Sequence, residues 1–92
     1  GNASFNLPVN MSIDDENNLY VVDIKGKNVK AYNAVGAFQG TIGMKELVKP
    51  TDVVVKNNKI FVCDIDNNRI NIYDKTTKKL LNYFCWNYVS LK

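Results

Sequence analysis

LYVVD at 19–23 returns as IFVCD at 60–64, and the frame around it returns as well. A proline, Pro8 or Pro50, leads into a short apolar strand, VNMSI at 9–13 or TDVVV at 51–55. A turn rich in Asn follows, DDENN at 14–18 or KNN at 56–58, and then the apolar run that closes on Asp. After a few polar residues comes a strand with an aromatic near its end, VKAYN at 29–33 or INIYD at 70–74. Tyr20 thus aligns with Phe61, Asp23 with Asp64, Val29 with Ile70 and Tyr32 with Tyr73. The prolines lie 42 residues apart and Tyr20 and Phe61 only 41, so copy two is one residue shorter. That residue is lost between the first two strands, in a solvent turn, where a repeat tolerates deletion best.

Local chemistry explains each piece. Val9, Met11 and Ile13 alternate with Asn10 and Ser12, the period-two pattern of a strand with one drier face. The runs at 19–22 and 60–63 do not alternate, which predicts central strands buried on both faces. DDENN reads as a solvated hairpin loop, because Asp and Asn bond their own backbone. In IKGKN at 24–28, Gly26 is the residue expected to take positive φ. NAVG turns at Gly36, and AFQGTIG at 37–43 forms a fourth strand. MKELVK at 44–49 is too short before Pro50 to hold a helix and reads as a connection. KTTKK then turns the chain into LLNYF at 80–84. The expected architecture is all-β: two four-stranded antiparallel meanders, 5–43 and 44–84, with a C-terminal extension at 85–92.

Composition narrows the chemistry. A 92-residue chain is one domain at most and buries only about 60–65% of its unfolded surface. Net charge is +3, carried mostly by Lys, far from the clustered charge of a dedicated nucleic-acid binder. No apolar run approaches the roughly twenty residues of a membrane span, and no charged-then-apolar leader opens the chain. There is no histidine, which removes Ser-His-Asp and Cys-His sites and His-ligated zinc. Cys63 stands where copy one has Val22 and reads as a small core residue, with Cys85 a second free thiol. A disulfide between the two is left open at this point. Asn2-Ala3-Ser4 and Asn10-Met11-Ser12 fit the N-glycosylation sequon, matches that an Asn-rich sequence produces by chance. Asp64, Asp66 and Asn68 open like a calcium loop, but Arg69 replaces the required Gly and Lys75 the required Glu. Asp23 and Asp64 are therefore expected to be structural, bonding backbone amides or a neighbouring Arg. No metal, cofactor or catalytic residue is expected.

A forty-residue period of four strands is the mark of a β-propeller blade. PVNMSIDDENNLYVVD and PTDVVVKNNKIFVCD, the latter followed by NNRINIYD, resemble NHL repeats over roughly residues 5–84. The match is fullest through Asp64, Asn67, Asn68, Arg69 and Ile70; copy one has Gly26, Lys27 and Asn28 where copy two has Asn67, Asn68 and Arg69. The resemblance implies a protein-interaction scaffold, with single-stranded RNA binding as the alternative. A third activity known among such propellers, an amidating lyase with a histidine-held metal, is disfavoured by the missing histidine. For RNA the loops at 24–28, 44–49 and 65–69 would share one face and offer Lys25, Lys27, Lys45, Lys49 and Arg69. No aromatic interleaves with those residues to stack a base. A blade is apolar on both sides because a neighbour covers each, so two blades are expected either to be a fragment of a longer propeller, with further blades carrying the function, or to assemble. Head-to-tail copies would close a ring, three chains giving six blades, with two or four chains, or domain swapping through the tail, as alternatives.

Overall fold

A computed structural model describes residues 4–85; the sequon at Asn2 and the extension beyond Cys85 lie outside the described residues. Strands β1 (Pro8–Ile13), β2 (Leu19–Asp23), β3 (Asn28–Tyr32) and β4 (Phe38–Ile42) form one antiparallel sheet in sequential order. Strands β5 (Pro50–Lys56), β6 (Lys59–Asp64), β7 (Arg69–Asp74) and β8 (Leu80–Cys85) form the second. A single 3-10 turn, Ile65–Asn67, joins β6 to β7. The repeat extends to its irregularities. Register slips between Pro8 and Asn10 and again between Pro50 and Asp52, then between Ala31 and Tyr32 and again between Ile72 and Tyr73.

Residues directly opposite in a ladder share a face of the sheet. Register therefore assigns each blade a front and a back. The front of blade 1 carries Tyr20, Val22, Val29, Ala31 and Ile42. The back of blade 2 carries Val53, Val55, Ile60, Val62 and Tyr73. These two faces, with Leu47 from the connection, form the hydrophobic core, and β5 lies against β1 and β2. Burying each such Val or Ile contributes about 1.5–3 kcal/mol. Side chains at the core are thus drawn from alternate positions of a run that has no alternation in sequence.

Four sequence expectations are corrected by this geometry. Leu19, Phe61 and Cys63 are only half-buried, because the runs at 19–22 and 60–63 each meet another blade on one face alone. Cys63 is for that reason a residue of an open sheet face and not of the core. Asp14 is buried within the turn read as solvated, while Asp15 and Glu16 stay exposed. In the 24–28 turn the positive φ falls on Lys27, at 57°. Gly26 is needed there for another reason: a Cβ would stand 2.7 Å from the Asp23 carboxylate. The two cysteines are free thiols. Cys63 pairs with Ile70, whereas Cys85 pairs with Arg69 one position on, so register points them to opposite faces of one sheet.

Candidate functional site

Each blade is pinned at the same end by one carboxylate. Asp23 accepts the backbone N–H of Leu7 at Oδ1 and that of Asn6 at Oδ2, both at 2.8 Å, and the N–H of Gly26 at 3.0 Å. Asp64 does the same for the equivalent connection, accepting Lys49 N–H at 2.7 Å and Val48 N–H at 3.0 Å. The remaining partner differs between the copies. Lys30 Nζ donates to Asp23 at 3.2 Å and to Asn28 Oδ1 at 3.0 Å, deep in blade 1. In blade 2 the Asn67 amide donates to Asp64 at 2.8 Å and to the Glu46 carbonyl. Burial alone would raise the Asp23 pKa, but these donors outweigh it and hold the carboxyl at about 2. Every carboxylate oxygen of the pair is spent on the chain itself.

A second polar centre ties the blades together. Asp14 accepts Glu16 N–H and Asn18 N–H at 2.9 Å, the Asn18 amide at 3.0 Å and the Tyr20 hydroxyl at 3.1 Å. Here too burial is outweighed, and Asp14 sits at about 2. Lys75 reaches across from blade 2 to Asp14 and Glu16, each at 3.4 Å. Nearer the inner strands, the Asn10 amide donates to Asp52 at 2.9 Å. A buried relay completes the junction: Asn71 Nδ2 donates to the Tyr73 hydroxyl, which donates to Glu46, both at 3.0 Å. Burial, helped by Glu46, raises the Tyr73 phenol above its ordinary range. None of these contacts was legible in the sequence beyond the aligned aspartates. Asp14 could have been found, since an Asp opening a turn bonds the backbone two residues on, here Glu16 N–H, as an Asx turn.

The five basic residues singled out for a ligand face separate into two groups. Lys25, Lys27, Lys45 and Lys49 are exposed on the turns after β2 and β4. Arg69 is half-buried, with its guanidinium 4.4 Å above the Tyr83 ring and its Nε without a hydrogen-bond partner. Among the described residues no group of three or more His, Cys, Asp or Glu lies close enough to hold a metal ion.

Apolar side chains are displayed on the two sheet faces that meet no blade. On the back of blade 1, Met11 and Ile13 are 60% and 58% exposed. Beside them Phe5, Ile13, Leu19, Val21 and Tyr32 line a groove of about 480 Å³. Phe5 packs on Tyr32 with ring centroids 5.8 Å apart, and Lys30 Nζ lies 5.8 Å from the same Phe5 ring. On the front of blade 2, Val54 and Phe84 are exposed beside half-buried Phe61, Cys63 and Ile70.

No protein-family model matches the chain, and no curated protein matches it. Solved structures do. A protein from Bacteroides fragilis NCTC 9343 superposes with a TM-score of 0.78 at 22% identity, over 91% of this chain and 25% of its own. A chain of a nidogen/laminin complex gives 0.72 at 19% identity, over 88% of this chain and 32% of its own. Apo AztD from Citrobacter koseri gives 0.70 at 19% identity, over 85% and 23%. The fold they share with this chain is the β-propeller, and the two sheets are two of its blades. The chain spans about a quarter to a third of the length of these structures.

Proposed function

We propose that this chain is a propeller segment of NHL type that serves as a protein-interaction scaffold, with its two uncovered sheet faces as contact surfaces. One observation carries this reading: large apolar side chains, Met11 and Ile13 on one side and Val54 and Phe84 on the other, stand in solvent on sheet faces that meet no blade. Contiguous apolar surface of this kind marks a binding site. The NHL assignment draws on the paired carboxylate pins at Asp23 and Asp64 and on the intact Asn67-Asn68-Arg69 segment. The scaffold reading gives the chain no catalytic role.

The test is binding of the fluorescent apolar dye ANS to the chain at high dilution. Strong binding that falls when Met11→Asn and Val54→Asn are introduced supports open contact faces. No dye binding, with a cooperative melt, means the faces are not available surfaces and overturns the reading. Single-stranded RNA binding is the second reading, favoured by the four exposed lysines at one end of the blades. It requires filter-bound RNA whose affinity falls steeply with salt.

A further inference from the structure

We infer that the partner of these faces is a second copy of this chain, docked head to tail, the front of blade 2 on the back of blade 1 of the next copy. The inference rests on the scaffold reading and names its partner. Its basis is the junction already built inside the chain. Every position that blade 2 buries against blade 1 has a counterpart, at the repeat offset, on the open back of blade 1. Leu47 corresponds to Phe5, Val53 to Met11, Val55 to Ile13 and Tyr73 to Tyr32. The same holds in the other direction. Tyr20, Val29 and Ile42, which blade 1 buries at the junction, correspond to Phe61, Ile70 and Phe84 on the open front of blade 2. The two open faces are therefore the two halves of an interface whose geometry the chain already displays. One copy carries both halves, which is what a heterologous, ring-closing contact requires.

Polar groups agree with that docking. Inside the chain Asn10 donates to Asp52. Asn10 and Asp52 are themselves counterparts, so at the new junction Asp52 faces Asn10 of the second copy, and amide again meets carboxylate. The ion pair of the internal junction joins Lys75 to Asp14. Their counterparts are Ala34 and Lys56, so the new junction opposes no like charges there. Lys30, a cation on the back face, is already neutralised by Asp23 beneath Phe5. Propellers close at about 4–8 blades, so rings of two, three or four copies satisfy the geometry, and three copies give the six blades that the repeat resemblance favours.

Two surface variants test this. Met11→Asp blocks the back of blade 1 and Phe84→Asp blocks the front of blade 2; both side chains are 60% exposed in the single chain, so neither change disturbs its fold. Light scattering after gel filtration should give the unaltered chain a mass of two, three or four times 10.4 kDa. Each variant alone should run as a monomer, its association weakened about a hundredfold or more by the buried charge. Mixed, they should form a one-to-one dimer, because each keeps the half the other lacks. A Met11→Asp variant that still dimerises alone means a face pairs with itself and overturns head-to-tail docking. An unaltered chain that stays monomeric at high concentration also overturns it, and does so whatever the variants do. If that monomer binds ANS, only the identity of the partner is wrong; if it does not, the scaffold reading falls too.

Discussion

Val53 and Met11 hold the same place in their blades, third after the proline, yet Val53 is 2% exposed and Met11 is 60% exposed. Nothing in the strands accounts for this. β1 and β5 carry the same bulge, pair with the same kind of apolar strand and start at the same carboxylate pin. The difference is the neighbour. β5 lies against blade 1, whereas the equivalent face of β1 meets no blade. In a propeller the burial of a residue is a property of the pair of blades, and a single blade only offers it.

The strongest way to break the symmetry of the two blades is at their pins. Asp23→Ala removes three backbone acceptor contacts and strands the Lys30 ammonium in the interior, a loss of about 3–5 kcal/mol. Asp64→Ala leaves the Val48 and Lys49 amides and one of the two Asn67 contacts without an acceptor but strands no buried charge, a loss of about 1–3 kcal/mol. Urea melts of the two variants measure the gap. Adding Lys30→Met to Asp23→Ala should restore part of the loss, and equal effects of the two aspartates would deny the buried pair its weight.

Acid probes the hydrogen bonds at the blade 1 pin and at the Asp14 turn, where Asp23 and Asp14 are both held ionised. Their folded pKa values of about 2 lie below the ordinary 3.8. A depressed carboxylate stabilises the fold fully above its unfolded pKa and loses that contribution as pH falls through the folded one. Stability should thus drop between about pH 4 and pH 2, by about 2 kcal/mol for each group. Asp14→Asn should flatten this acid limb. A melt that does not change over that range would show that the hydrogen bonds to these carboxylates are not holding them ionised.

The packing comparison can be made directly. Val53→Ala should cost about 2 kcal/mol by leaving a hole in the core. Met11→Ala, at the same repeat position, should change the stability of the single chain by no more than about 0.5 kcal/mol. Should the second copy dock as inferred, Met11→Ala becomes costly wherever the chain is assembled, and dilution switches the effect off.

What the sequence disclosed and what it withheld divide along one line. Period, strand order and the aligned aspartates are one-dimensional features, and the repeat of LYVVD in IFVCD displays them. Which side of a run faces the other blade is not, because LYVV has no polar residue to mark the wet face. The expectation of burial on both sides holds for Tyr20, Val21 and Val22 and fails for Leu19, Phe61 and Cys63 for that reason. Polar contacts between blades were hidden more deeply. Glu46, in a segment read as a plain connection, reaches Tyr73 from 27 residues away, and Lys75 finds Asp14 across the junction. Such partners become neighbours only once the blades are stacked. The lysine count suggested a basic face of five, but Arg69 is drawn onto Tyr83, which stands 14 residues later in a strand that sequence pairs with it only by the meander.

The smallest effect, and the finest comparison, is at Cys63. It occupies the place of Val22, which is fully buried in the junction, while Cys63 is half-buried on the open front of blade 2 beside Phe61 and Ile70. Cys63→Val supplies the residue that blade 1 uses and nearly the same volume, so stability should move by no more than about 0.5 kcal/mol. The thiol itself reports on the face. In the dilute chain it should react with an alkylating reagent, and reaction should slow as concentration rises and a second copy covers it. Cys85, on the other side of the same sheet, provides the control when Cys63→Val and Cys85→Ser are compared singly. A Cys63 alkylation rate that does not vary with concentration, in a chain that light scattering shows to assemble, would place the contact on some other surface.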